Sequence, residues 1–260
     1  MEATVICLGG GVQSSALYVM AARGDMPRVD FAVFADTGAE KSATYGWLWR
    51  LAREYGARLP IVVGSHGNLY EDVLASARTQ AGSVKNPPFF TSPDGMLRQK
   101  CTQEYKARVI DRTIKRRLRV GRVAPRGLMV HRFIGISVDE VGRMKPSNVG
   151  WSTFHYPLID ARLRRSDCES YLLATIGETP PKSCCVMCPY QSGPSWRRLR
   201  DFAPEDFARA ELLDSAIRDG IGGTKEKLYL NRGRVPLAVA VANDNQGDLF
   251  GNDCGGYCGV

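Results

Sequence analysis

Apolar positions fall in short unbroken runs separated by stretches of helical spacing. Thr4 to Leu8 fits a buried strand that breaks into Gly9-Gly10-Gly11, and beyond Ser14-Ser15 the residues Ala16, Leu17, Val19 and Met20 keep a helical interval to a stop at Arg23-Gly24. Val29 to Ala35 reads as a second buried strand. Lys41 to Tyr55 reads as a helix with Tyr45, Leu48, Trp49, Ala52 and Tyr55 on one face and Gly56 as its end, and Leu59 to Val63 as a third strand. Alternation of this kind predicts an α/β fold: a doubly wound, mostly parallel sheet with helices on both faces.

From Gly64 to Lys100 the periodicity fades and turn residues gather at Asn86-Pro87-Pro88 and Ser92-Pro93-Asp94-Gly95, which predicts a lid insertion over residues 64–100. Helical spacing returns at Tyr105, Val109, Ile110 and Ile114, and Leu128 to Ile136 reads as a further strand. Tyr156 to Ile159 reads as extended, Ser166-Asp167 as an N-cap, and Pro204 to Arg218 as a helix. The expected division is a nucleotide-binding domain over 1–165 and a helical, Cys-rich segment over 166–260. The latter would carry the cluster and substrate sites and end, from Val241, in an Asn-, Asp- and Gly-rich flexible tail.

Three glycines between a strand and a helix suit a phosphate. They let the backbone come close to a ligand, and the amides at the helix N-terminus attract anions. A polar turn directly after a buried strand is where open α/β sheets place ligand groups, so Asp36 and Glu40 are candidates. The same layout recurs after the Leu128 to Ile136 strand, with Ser137, Asp139, Glu140 and Arg143. Taken alone the loop is compatible with a plain tight turn, and it matches neither the dinucleotide fingerprint nor a Walker loop.

Composition, with 44% hydrophobic and 24% charged residues, is that of a globular protein, and no apolar run approaches the ~20 residues of a membrane span. Met1-Glu2-Ala3 leads straight into the first strand without a secretory or transit segment, so a cytoplasmic location is expected. In that setting eight cysteines point away from a disulfide framework and toward metal or redox chemistry where they cluster, as at Cys184, Cys185 and Cys188. Cys101 and the tail residues Cys254 and Cys258 can supply more thiolates. Cys7 and Cys168 read as small buried hydrophobes.

The formal charge of +8 suits a polyanionic partner. Basic clusters at Lys115 to Arg119, Arg162 to Arg165 and Arg197 to Arg200 read first as solvated helix faces, and the last could also hold a nucleic-acid backbone. His66, His131 and His155 show no ligand spacing and read as structural.

Gly9-Gly10-Gly11-Val12-Gln13-Ser14-Ser15 resembles the PP-loop of ATP pyrophosphatases, with Gly9 where that family has Ser and Gln13 where it often has Asp. Together with Asp36-Thr37-Gly38-Ala39-Glu40, Thr44-Tyr45, Gln99-Lys100-Cys101-Thr102, Tyr105-Lys106, Gly135 to Arg143 and the Cys-rich segment, it makes most of the chain similar to the phosphoadenosine-phosphosulfate reductase branch. The resemblance implies an adenine nucleotide alpha-hydrolase-like fold that binds ATP or an adenylyl-sulfate. Phosphates would lie on Gly9, Gly10, Gly11, Gln13, Ser14 and Ser15 and the nucleoside near Ala35 and Asp36, with Gly135 and Arg143 as further cofactor-binding candidates. The resemblance maps Cys101, Cys185 and Cys188 onto positions that bind a [4Fe-4S] cluster; the fourth ligand stays open between Cys258, the first candidate, and Cys184 or Cys254, and Zn²⁺ would use the same thiolates.

The leading expectation is an ATP-dependent sulfurtransferase that adenylates a nucleobase-type carbonyl in nucleic acid (tRNA or DNA) or a nucleotide. It would use Mg²⁺ near Asp139 or Glu140 and draw sulfur from the cluster or a cysteine persulfide fed by a donor. One alternative is a sulfonucleotide reductase with Cys254 as nucleophile, because Asp253-Cys254-Gly255 is similar to the C-terminal motif of those reductases, although its His is missing and Cys258 follows. Another is a nucleotide-binding module of a DNA-modification system with a structural cluster. A homodimer and no membrane partner complete the expectation.

Overall fold

The computed structural model describes residues 1–82 and 86–242. Its elements in chain order are β1 (Glu2–Cys7), α1 (Val12–Arg23), β2 (Phe31–Asp36), α2 (Ser42–Tyr55), β3 (Ile61–Ser65), α3 (Leu69–Thr79), β4 (Phe90–Thr91), β5 (Gly95–Met96), α4 (Arg108–Arg117), β6 (Met129–Ile134), β7 (Ser152–His155), α5 (Pro157–Asp160), α6 (Arg165–Ile176), α7 (Gly193–Phe202), α8 (Pro204–Ala216), β8 (Leu228–Tyr229) and α9 (Leu237–Ala242).

β1 lies at the centre of a five-stranded parallel sheet ordered β3-β2-β1-β6-β7. The chain winds outward from β1 to β3 and then returns to the other side of β1, so a crevice opens between the C-terminal ends of β1 and β6. Because both faces are covered, the strands are apolar along their length rather than alternating. Ile6, Leu8, Ala32 and Phe34 pack on one face with α1, α2 and the Cys168–Leu172 side of α6, while Val5, Cys7, Phe31 and Val33 pack on the other with α4. The parallel α/β expectation holds.

Gly24 ends α1 in a left-handed conformation with φ +89°, as its position after Arg23 predicts. Burial pushes the Cys7 thiol up to about 11 and the Cys168 thiol up to about 12, so both remain neutral hydrophobes.

A second core has a different origin. Leu69, Tyr70, Val73 and Leu74 of α3, with Phe89 and Tyr105, pack against Val186, Met187, Trp196, Phe207, Leu213 and Leu228. Within the stretch 64–100, Leu69, Tyr70, Val73, Leu74, Ala77 and Phe89 belong to this second core. The described residues of this stretch include α3, capped by the Asn68 side chain, and the strands β4 and β5, with β4 pairing antiparallel to β5 and, from far along the chain, to β8. Cys168 and Leu172 of α6 pack with the parallel sheet, while the second core joins described residues between Leu69 and Tyr105 to described residues between Val186 and Val241.

Two local expectations are corrected. Tyr156 to Ile159 is not extended: Pro157 opens the single turn α5, directly after β7. Ser166-Asp167 is not the N-cap of α6, which is Arg164; Asp167 sits at the third helical position and accepts the Arg164 N–H at 2.7 Å.

Among the described residues no helix is long and apolar enough to cross a membrane.

Candidate functional site

The crevice between β1 and β6 is shaped by glycine. Gly10 has φ +73°, a conformation that L side chains adopt only with strain, and it turns the chain from β1 into α1. Gly11 precedes α1 with no side-chain cap, leaving the helix N-terminus to other partners. Across the crevice, a Cβ on Gly135 would stand 2.6 Å from both Cα and N of Ser14, so only glycine lets the segment after β6 lie this close to the loop.

Polar side chains from three segments converge beside the loop. Gln13 is 7% exposed, and its amide nitrogen donates to Glu140 Oε2 at 2.9 Å and to Ser137 Oγ at 3.4 Å. Its oxygen accepts from Arg165 Nη1 at 3.3 Å, and Glu140 pairs with Arg143 at 2.7 Å. Asp139 accepts the Arg165 backbone N–H at 3.1 Å. Burial works against its charge, but the Ser137 hydroxyl and the Arg165 N–H outweigh that, and the carboxyl is held below its ordinary range. This is a stable site for negative charge beside an anion-attracting helix terminus.

Ser14 and Ser15 differ. Ser14 Oγ lies within the loop, accepting from Gly9 N at 3.3 Å and donating to Gly11 O at 3.2 Å. Ser15 is fully buried and its hydroxyl accepts from the Trp47 indole at 2.9 Å, which commits that side chain to packing.

The turn after β2 is equally fixed. Asp36 Oδ1 accepts from Gly38 N at 2.8 Å and from the Tyr45 hydroxyl at 2.7 Å; burial first, then that hydrogen bond, raises the Tyr45 phenol. Ala35 is buried at the end of the strand.

Beyond this turn lies the cysteine cavity. Cys101, Cys185 and Cys188 line one pocket together with Thr37, Gln99, Thr102 and Lys106. Glu40, 1% exposed, pairs with Lys106 Nζ at 3.1 Å and accepts from Cys185 Sγ at 3.7 Å, while its Oε2 has no hydrogen-bond partner among the described residues. A β-bridge joins Glu40 to Cys185, and Val186 N donates to Ala39 O at 2.8 Å. The Cys-rich segment is thus laid along the Asp36–Glu40 turn. It also touches the glycine loop, since the Ser183 hydroxyl donates to Gly9 O at 2.5 Å.

Cys101 opens a π-helical stretch, Thr102–Ala107, that leads into α4. Cys184 is buried at 3% exposure and does not line the cavity. Cys254 and Cys258 lie outside the described residues.

Thiolates are suitable donors for iron–sulfur or zinc, but among the described residues no three His, Cys, Asp or Glu side chains are grouped closely enough to hold one metal ion. The three cysteines share one cavity wall.

Two participants escaped the sequence pattern. Arg165, expected as a solvated helix face, reaches Gln13, and Ser183 reaches Gly9; Lys106, one of the residues that carry the resemblance, pairs with Glu40. The histidines are not all isolated either. His131 and His155 lie on neighbouring strands and meet at 2.8 Å, with Glu2 on the far side of His131 at 2.6 Å.

No protein-family model matches the chain, and no curated protein matches it in sequence. Among solved structures, a crystal structure of phosphoadenylyl-sulfate (PAPS) reductase from Candida auris, in a phosphate complex, is similar with a TM-score of 0.42 and 13% identity. The match covers 69% of this chain and 73% of that one.

Proposed function

We propose that this chain is an ATP-dependent sulfurtransferase that adenylates a nucleobase-type carbonyl and replaces its oxygen with sulfur. The observation that carries the reading is the joining of two sites: the segment bearing Cys185 and Cys188 is hydrogen-bonded through Ser183 to Gly9 of the glycine loop. An anion-attracting helix terminus and a thiol-lined cavity are parts of one assembly.

In this scheme the amides after Gly11 hold the phosphates of Mg·ATP, with Asp139 as the ionised group nearby. The acceptor oxygen attacks the α-phosphorus and pyrophosphate leaves. A persulfide on a cavity cysteine, loaded by an external sulfur donor, attacks the activated carbon, and AMP departs with the former carbonyl oxygen. A second cavity thiol then breaks the S–S bond, which frees the thiocarbonyl and leaves a disulfide for an external thiol to reduce.

The test is pyrophosphate release from ATP in the presence and absence of RNA, DNA or nucleotide acceptors, alongside iron and sulfide analysis of anaerobically purified protein. Acceptor-dependent pyrophosphate that disappears in Cys185→Ala while ATP binding persists is the expected result. Sulfite release from an adenylyl-sulfate would replace this reading with the reductase, and ATP binding without turnover on any acceptor would replace it with a nucleotide-binding module. A stoichiometric iron–sulfur cluster would move the sulfur source from a persulfide to the cluster.

A further inference from the structure

Beside the cysteine cavity runs a groove of three adjoining hollows that shares with that cavity and the glycine-loop site, among the described residues, only Gln99, Thr102 and Arg143. The central one, about 560 Å³, shares Gln99 and Thr102 with the cysteine cavity and has Arg132 and Arg143 in its lining. It continues at one end, through Arg108 and Asp111, into a hollow of about 420 Å³ bordered by His66 and Arg112. At the other end it passes, through Lys145, Ser147 and Phe154, into one of about 580 Å³ bordered by Thr153 and Tyr156. Each hollow lies in the range of ~300–1,000 Å³ that suits a small-molecule-sized unit.

The groove is basic, and its most telling cation is buried. Arg132, 5% exposed, pairs with Asp111 at 2.6 Å and lies 4.6 Å from the Trp151 ring and 5.9 Å from that of Phe154, while its Nε has no hydrogen-bond partner among the described residues. Arg132 thus lines the central hollow as a buried guanidinium held by one carboxylate and two rings, a fixed cation whose planar fork suits phosphate. Along the groove, the five cations Arg108, Arg112, Arg132, Arg143 and Lys145 outnumber the lining carboxylates Glu104 and Asp111 even with Glu140, which pairs with Arg143 from outside the lining, counted in.

We infer that this groove takes a single nucleic-acid strand and presents one of its nucleotides in the hollow above Arg132, next to the cysteine cavity. The inference rests on the sulfurtransferase reading and names its acceptor. Three successive hollows suit a chain of repeating units better than one free nucleotide. Cations along the path with an aromatic ring at Phe154 match how single strands are held, by phosphate contacts and ring stacking. The link to the glycine loop is short, since Arg143 pairs with Glu140, which holds Gln13. These cations are not those of the basic runs at 115–119, 162–165 or 197–200.

The test uses the full chain with a saturating non-hydrolysable ATP analogue and a fluorescein-labelled mixed-sequence single strand of about ten nucleotides, as RNA and as DNA. Affinity is read by anisotropy between about 50 and 200 mM salt. Arg112→Ala and Lys145→Ala, both at exposed positions, should each weaken binding several-fold and make the salt slope shallower by about 0.7, the value for one phosphate contact on a single strand. An Arg197→Ala/Arg198→Ala variant should change neither. Strand binding that survives in the groove variants but falls in the 197/198 variant would overturn the inference, as would uridine monophosphate binding without strand binding. ATP-analogue affinity, measured separately in every variant, tells this failure apart from failure of the sulfurtransferase reading.

Discussion

The glycine-loop site and the cysteine cavity are built in opposite ways. The first is assembled at strand ends of one sheet, opens at a crevice, and carries exposed or half-buried charges on Asp139, Glu140 and Arg143. The second is assembled where two cores meet: the Thr37–Glu40 turn of the sheet supplies one wall, while Cys101 and Cys185 to Cys188 supply others from the helical part. The first draws nearly all its parts from the sheet and its connections, with Ser183 as the contact from the Cys-rich segment. A cavity of the second kind exists only while the two parts stay docked, so perturbing the docking should separate ATP binding from sulfur chemistry.

The largest separation should come from the buried pair beneath the cysteines. Lys106→Met leaves the Glu40 carboxylate, 1% exposed, without its cation, and breaking a buried pair from one side costs about 3–5 kcal/mol. Urea unfolding should show that loss, with ATP affinity of the folded fraction retained. A Lys106→Met/Glu40→Gln double variant should recover most of it, and if it does not, the pair is not what holds this wall in place.

Next in size is the reverse experiment. Gly135→Ala forces a methyl group to within 2.6 Å of the Ser14 backbone, and overpacking of this kind costs about 1–3 kcal/mol. ATP affinity should fall by more than tenfold while the reactivity of the cavity thiols toward a maleimide stays as in the parent. Equal losses at both sites would mean that the two are one cooperative unit.

Ser183→Ala removes the direct tie between them. Loss of one hydrogen bond is worth about 1 kcal/mol. The sharper readout is coupling: in the parent, ATP should protect the cavity thiols from modification, and in the variant that protection should shrink. Unchanged protection would place the communication elsewhere, for instance along the Glu40–Cys185 bridge.

What could be seen beforehand follows from the same contrast. β1, the three glycines and α1 are contiguous, and so are β2 and its acidic turn, so local periodicity and punctuation reveal them. α3 was missed although Leu69, Tyr70, Val73, Leu74 and Ala77 keep helical spacing after the Asn68 cap, because the Pro- and Gly-rich residues further on dominate the stretch. Contacts between distant residues left no local trace. Arg165 meets Gln13 across 152 positions and Ser183 meets Gly9 across 174. His131 and His155 became neighbours only through the β6–β7 register, which pairs Phe133 with His155.

The smallest effect tests the open end of the glycine-loop site. The Ser137 hydroxyl and the Arg165 N–H hold the folded Asp139 carboxyl below its unfolded value of about 3.9. A carboxyl lowered on folding stabilises the native state above the unfolded value, and that stabilisation fades as pH falls through the lower folded value. Asp139→Asn should therefore be slightly less stable than the parent at neutral pH, with the gap closing on acidification below about pH 4. Because Asp139 is exposed, solvent screens the interaction and the gap should be small. Urea midpoints for both proteins across that window check the sign: a gap that widens toward acid would mean that Asp139 is not held ionised, and the negative charge at this end would then rest on Glu140 alone.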